Sequence, residues 1–424
     1  MAVSRRTFVT TALAVPAAGA VFGTAYAQAT STDETEPRSN RPRASEPGDV
    51  VGKITTGYQG WFAAAGDGSP IDAWWHWAPD MGRTPSPSNN GIISWPDMRE
   101  YETDYQTDFP ALGNGRPATL FSSHDDQTVD THFRWMATNA IHTAALQRFN
   151  PNGHEGPIRD AMTEKVRVAA EAHGVKFYVM YDITDWLAMR EEITVDWTEK
   201  MSAYTASPEY AVQNGKPVVG IWGPGFADEK RPFAPDECLE VIRWFQDQGC
   251  YVMGGVPTHW RSGDRDSRPG FEEVYLAFDM LSPWMVGRLG TVEQLDAFYE
   301  SNLLPDQQAC DAAGIDYQPC VMPGNLQEGH RAHGDFMWRM FYNTIRAGAQ
   351  GLYISMFDEY NEGNQIAKTA ETSADVPAGE DFRALDEDGT PCSADYYLRL
   401  TGDGGRMLAG EIELTEIRPT SPVV

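Results

Sequence analysis

Cysteine is scarce in this chain. Five cysteines are scattered over 424 residues with no CxxC pair, which excludes a zinc knuckle and a disulfide scaffold. Cys310 and Cys320 are the one pair for which a bridge stays open. Basic charge is also short, with 33 Lys and Arg against 61 Asp and Glu and a formal charge of −28. A field of that sign repels phosphate backbones and anionic lipid, so nucleic acid and membrane surfaces are excluded as partners. No uncharged apolar run after residue 30 reaches the ~18–20 residues that cross a bilayer. A dinucleotide turn is missing too, because Gly66-Asp67-Gly68 lacks the GxGxxG spacing. What the chain has in quantity is tryptophan, thirteen of them, within a composition that is 41% hydrophobic and 22% charged. That is enough apolar material for one large core.

The first 29 residues read as an address. Ser4-Arg5-Arg6-Thr7-Phe8-Val9 is a basic start, Thr10 to Gly23 is rich in Ala and Val, and Ala25-Tyr26-Ala27 offers a small-x-small cleavage site. The paired arginines resemble a twin-arginine signal, whose cargo crosses the membrane folded. The expectation is an exported, extracellular protein with no lipid anchor. Residues 30–50, rich in Ser, Thr, Pro and charge, are expected to form a flexible linker.

From residue 51, short β-branched and aromatic runs alternate with longer amphipathic stretches, the pattern of repeated βα units. Eight strands are expected: Thr56–Phe62, His142–Phe149, Val175–Asp182, Pro217–Trp222, Cys250–Val256, Phe278–Met285, Asp316–Met322 and Gly351–Phe357. Helices are expected at Asp130–Asn139, Ala161–His173, Asp236–Gln248, Val292–Ala313 and Phe336–Ala347. In Asp236–Gln248 the residues Leu239, Ile242, Trp244 and Phe245 share a face, as do Phe336, Met340, Phe341, Thr344 and Ile345 in Phe336–Ala347. The predicted fold is α/β, a (β/α)8 TIM barrel over residues 51–405. Residues 63–129 are read as a long elaborated loop after strand 1 lying over the barrel mouth, and residues 406–424 as a C-terminal segment.

Chemistry in such barrels sits at the carboxyl ends of the strands. Those ends carry Tyr58 and Trp61, Asp182 and Trp186, Trp222, His259 and Trp260, Trp284, and Glu328 and His330. Trp75 lies in the long loop. Packing alone does not ask core strands to finish repeatedly in Trp plus a charge. Flat aromatic faces with carboxylates and amides between them suit sugar rings, so these residues and Tyr360 are the candidate substrate contacts, and a carbohydrate is the expected partner.

The densest acidic cluster is Asp358-Glu359-Tyr360-Asn361-Glu362-Gly363, directly after the apolar run Gly351–Phe357. Glycosidic cleavage needs one carboxyl group to protonate the leaving oxygen and a second as base or nucleophile. Glu359 and Glu362 are the candidate catalytic residues, converging if the chain turns at Gly363. A solvated acidic loop is the alternative, set against the position of the cluster after the last strand. Asp358 is read as holding the loop backbone.

The stretch Phe357-Asp358-Glu359-Tyr360-Asn361-Glu362-Gly363-Asn364-Gln365-Ile366 resembles the catalytic signature of glycoside hydrolase family 99, the endo-α-mannosidases, and of the related family 71 α-glucanases. Asp126–His132 and Ile141–Phe149 are weakly similar to that family's first helix and second strand. The resemblance implies that Glu359 is the base toward the sugar 2-hydroxyl and Glu362 the general acid/base. It further implies retention through a 1,2-anhydro intermediate. Tyr360-Asn361 stands where the family has Trp-His, and the first strand ends differently.

Other signals are weaker. His330 and His333 with Glu328 raise a metal-dependent hydrolase as an alternative, although HxxH without HExxH is a weak pattern. A saccharide-binding protein without catalysis is the other alternative. Arg148, Arg261, Arg288 and Arg331 are read as neutralising barrel carboxylates. The combined expectation is a secreted glycoside hydrolase cutting an internal α-linkage, with no cofactor and no metal.

Overall fold

The computed structural model describes residues 45–424, so the expected leader and most of the linker lie outside the described residues. Eight parallel strands follow one another around a ring: β1 (Ile54–Tyr58), β2 (Thr143–Arg148), β3 (Lys176–Asp182), β4 (Lys216–Trp222), β5 (Tyr251–Pro257), β6 (Met280–Trp284), β7 (Asp316–Tyr317 and Cys320–Val321) and β8 (Leu352–Ile354). Strand β7 is split at Gln318-Pro319, and its two halves close the ring. The first half pairs with β6 and the second with β8. Across the split, Gln318 N donates to Leu281 O at 2.8 Å, and Pro319 O accepts from Tyr353 N at 3.1 Å. Proline costs no bond there, because only its carbonyl is used.

Each strand is followed by a helix: α1 (Asp126–Thr138), α2 (Gly156–His173), α3 (Met189–Glu199), α4 (Pro235–Asp247), α5 (Glu272–Leu276), α6 and α7 (Val292–Phe298 and Leu304–Ala313, joined by the π turn Tyr299–Leu303), α8 (Asp335–Ala347) and α9 (Tyr396–Ala409). This is the (β/α)8 TIM barrel read from the sequence. Helix α2 starts five residues earlier than expected, since Pro157 in its first turn needs no N–H partner. In α4, Leu239, Ile242 and Phe245 are buried and Trp244 is half-buried; the apolar set of α8 is wholly buried.

The barrel interior is filled by large side chains meeting over glycines. Gln147 Nε2 on β2 donates to Tyr353 Oη on β8 at 3.0 Å, across β1. The intervening residue is Gly57, where a Cβ would stand 2.3 Å from Tyr353 Oη and from Met356 Sδ. Any larger residue there would displace this layer.

One boundary differs from expectation. Residues 45–50, assigned to the linker, are bonded to the barrel: Asn214 Nδ2 donates to Ser45 Oγ at 2.7 Å and Val212 N to Asp49 Oδ2 at 2.7 Å. All five cysteines are buried and free, Cys310 and Cys320 included. The long connection from β1 to α1 does fold over one side of the mouth. There Ile93 N and Ser94 N both donate to Tyr360 O, and Trp95 O accepts from Ala370 N at 3.0 Å.

Candidate functional site

The segment after β8 leaves the barrel at its carboxyl end and doubles back. Phe357 N still donates to Gly57 O at 2.8 Å, and the chain returns with Ala367 N on Phe357 O at 2.9 Å. Between them a single turn closes with Glu362 N and Gly363 N both on Glu359 O, at 3.2 and 3.1 Å. Gly363 has φ +72°, and a Cβ there would lie 2.8 Å from Ile93, so the turn requires glycine. Glu359 and Glu362 thus stand three residues apart on one hydrogen-bonded turn at the carboxyl end of β8.

Glu359 is 1% exposed. Its Oε1 accepts from Gln59 Nε2 at 2.6 Å and its Oε2 from Asn364 Nδ2 at 3.1 Å. Glu362 is partly open to solvent. Asp358 is fully buried and accepts from Gln59 N and Gly60 N, both at 2.8 Å. On the far side of the same peptide, Arg159 Nη1 of α2 donates to Gln59 O at 2.5 Å. The end of β1 is therefore clamped from both directions. Burial pushes the Asp358 carboxyl up to about 6, against the pull of the two N–H groups and Arg159. Burial likewise lowers the Arg159 pKa. Asp358 holds backbone as expected, but that of the β1 exit, which in turn carries the Gln59 side chain to Glu359.

Arg331 is the other fastener. It is buried and donates to three carbonyls, Gly324 O (3.1 Å), Gly363 O (3.0 Å) and Gln365 O (2.8 Å), tying the loop after β7 to the turn. The remaining arginines do neutralise carboxylates: Arg148 with Asp196 and Asp160, Arg261 with Asp306, and Arg288 with Asp266. The expectation for Arg331 is corrected, since its partners are peptide oxygens of the site loop.

The expected sugar contacts divide in two. Trp222 and Trp284 meet edge to face with centroids 5.4 Å apart at the ends of β4 and β6, with Trp284 part-exposed. Trp61 stacks on His76 at 3.9 Å, and part-exposed Trp75 stacks on His154 at 5.2 Å, next to the β1 and β2 ends. Asp182 is buried at the end of β3 and accepts from Thr184 N at 2.9 Å. Part-exposed His259 binds Asp266 through Nδ1 at 2.5 Å, and Glu328 pairs with His330 at 3.2 Å.

Four residues belong to the walls instead. Tyr58 points outward to α1, its hydroxyl on His132 Nδ1 at 3.0 Å. Strand alternation explains this, because Gly57 and Gln59 take the inward positions. Trp186 is fully buried with Nε1 on Glu192 at 2.6 Å. Tyr360 is fully buried among Phe62, Trp77 and Phe121 with its hydroxyl on Lys368 O. Trp260 is buried edge-on against Tyr275 of α5. We assign these four to packing.

Among the described residues no group of three His, Cys, Asp or Glu side chains is placed to hold a metal. His330 faces Glu328, whereas His333 faces Asp335 and Asp388, so the HxxH pair does not share a ligand set. Sequence reading missed Gln59 and Arg159. Gln59 was visible only as a polar residue at a strand end, and nothing local marked Arg159, which reaches the site from a helix 100 positions away.

The whole architecture matches a solved structure of a GH99 endo-α-mannosidase from Bacteroides thetaiotaomicron. The TM-score is 0.60 at 16% identity, covering 86% of this chain and 100% of that one. The fold is shared with that enzyme. A second structure of it, in complex with bis-tris-propane, matches with a TM-score of 0.58 at 17% identity over 85% of this chain and 98% of its own. No family model and no curated protein sequence matches this chain.

Proposed function

We propose that the protein is a glycoside hydrolase that cleaves an α-linkage within a polysaccharide or oligosaccharide, with Glu359 and Glu362 as its catalytic pair. The observation that carries this reading is the pairing of unlike environments on one turn at the barrel mouth. Glu359 is buried with a hydrogen-bond donor on each oxygen, and Glu362 is partly open to solvent. Donors on both oxygens favour the charged form, which suits a base. A solvent-accessible carboxyl group can exchange its proton between turnovers, which suits a general acid/base.

In the first step Glu359 takes the proton of the sugar 2-hydroxyl as that oxygen attacks C1, and Glu362 gives its proton to the departing oxygen. Water then opens the 1,2-anhydro ring, losing its proton to Glu362, while Glu359 returns its proton to O2. Two displacements retain the configuration. The route serves an α-glycoside whose 2-hydroxyl is trans to the leaving group, as in an α-mannoside. The mannosidase activity named for the matching structure supports this choice. The leader read in residues 1–29 supports action outside the cytoplasm.

The test is a panel of α-mannans and α-glucans followed by reducing-end release, with Glu359→Gln and Glu362→Gln as controls. Release by the wild type that both variants lose supports the reading. Unchanged release in either variant overturns it.

A further inference from the structure

Gln59 is buried, and its amide is oriented by a single contact. Nε2 donates to Glu359 Oε1 at 2.6 Å, while Oε1 is buried with no partner among the described residues. The backbone of Gln59 is braced from both sides. Asp358 takes its N–H and Arg159 reaches its C=O. A backbone held on both sides presents the Gln59 amide to Glu359 in a fixed position.

The groups around Glu359 show why that position matters. Tyr353 on β8 feels both Glu359 and Asp182 of β3, and Asp358 and Glu362 stand on the same loop. Arg159 of α2 acts on the neighbouring Asp358. Like charges disfavour a second carboxylate, whereas N–H donors on its oxygens favour it. The side-chain amides of Gln59 and Asn364 are among the donors at Glu359, one on each oxygen.

We propose that Gln59 is a positioning residue that keeps Glu359 ionised and fixed in orientation at the barrel mouth, with Asn364 as its counterpart on the other oxygen. The proposal rests on the catalytic reading of Glu359 for its significance, but its test needs no substrate. The full chain is labelled with glutamate carrying 13C at the side-chain carboxyl, and the Glu359 signal is assigned by its loss in Glu359→Gln. Titration of that signal is then compared between wild type and Gln59→Leu. The expected result is a midpoint raised on the order of one pH unit in the variant, and a matching rise in the acidic limb of kcat/KM on any saccharide the wild type cleaves. An unchanged midpoint overturns the proposal. Should Gln59→Leu not fold, Asn364→Leu is titrated in its place, with the same two outcomes. Absence of cleavage across the panel would count against the proposed function and leave the titration result standing.

Discussion

The two sides of the barrel mouth are built on different principles. At β1 and β8 the working parts are buried and bonded to backbone. Asp358 grips two N–H groups, Arg331 grips three carbonyls, and Gln59 and Asn364 hold Glu359. At β5 and β6 Asp266 also takes two backbone N–H groups, those of Thr258 and His259, but it stands nearer solvent and shares its oxygens with the side chains of His259 and Arg288. A buried bond to a peptide group has no water to replace it, so it fixes geometry. A solvated ion pair can exchange its partner for water at little cost. The first arrangement suits groups that must not move, and the second suits a surface that adapts to a ligand.

The largest test of this contrast is catalytic. Glu362→Gln is expected to lower turnover by ~10²–10⁴ with an unchanged Tm, while His259→Ala leaves turnover within about tenfold. Initial rates on a cleaved saccharide decide it; equal losses in both variants would erase the distinction. Next comes stability. Arg331→Met strands three carbonyls and is expected to cost roughly 3 kcal/mol in urea unfolding, and a loss under about 1 kcal/mol would put Arg331 with the surface pairs.

A smaller effect lies in the pH dependence, where the two sides have opposite signs. Asp358 is raised from 3.8 to about 6, so its contribution to stability is complete below the unfolded value and is lost as pH rises through about 6. Asp266 is lowered: burial opposes this, but Arg288, His259 and the Thr258 N–H outweigh it. Its contribution is therefore present above 3.8 and is lost as pH falls through the folded value. Urea midpoints measured against pH should lose their slope between about 4 and 6 in Asp358→Asn, whereas Asp266→Asn should lower the midpoint above about 4 and converge on the wild type in more acidic solution. Matching profiles would break the comparison. The smallest expectation is that Arg288→Ala costs no more than about 1 kcal/mol, with the difference shrinking in 1 M salt.

Much of this was legible beforehand for definite reasons. Strand periodicity and the spacing of amphipathic helices are local properties, so β1 to β8 were found in order, and the acidic turn with its Gly363 could be read from adjacent residues. The failures share one cause. Tyr58, Trp186, Trp260 and Tyr360 were read as sugar contacts because they sit at strand ends, but which way a side chain turns there depends on what has packed beside it. For Tyr58 that is His132, and for Tyr360 it is Phe62, Trp77 and Phe121. Arg331 was read as a charge seeking a charge, yet the tertiary fold offered it three carbonyls.

The order of residues by itself determined the barrel and the place of the acidic turn on it, because each follows from periodicity or from neighbours along the chain. The tertiary structure alone decided that Gln59, Asp358 and Arg159 form one brace. Their contacts span separations of 100 to 300 residues, and at such distances only the closed ring of strands brings donor and acceptor within bonding reach.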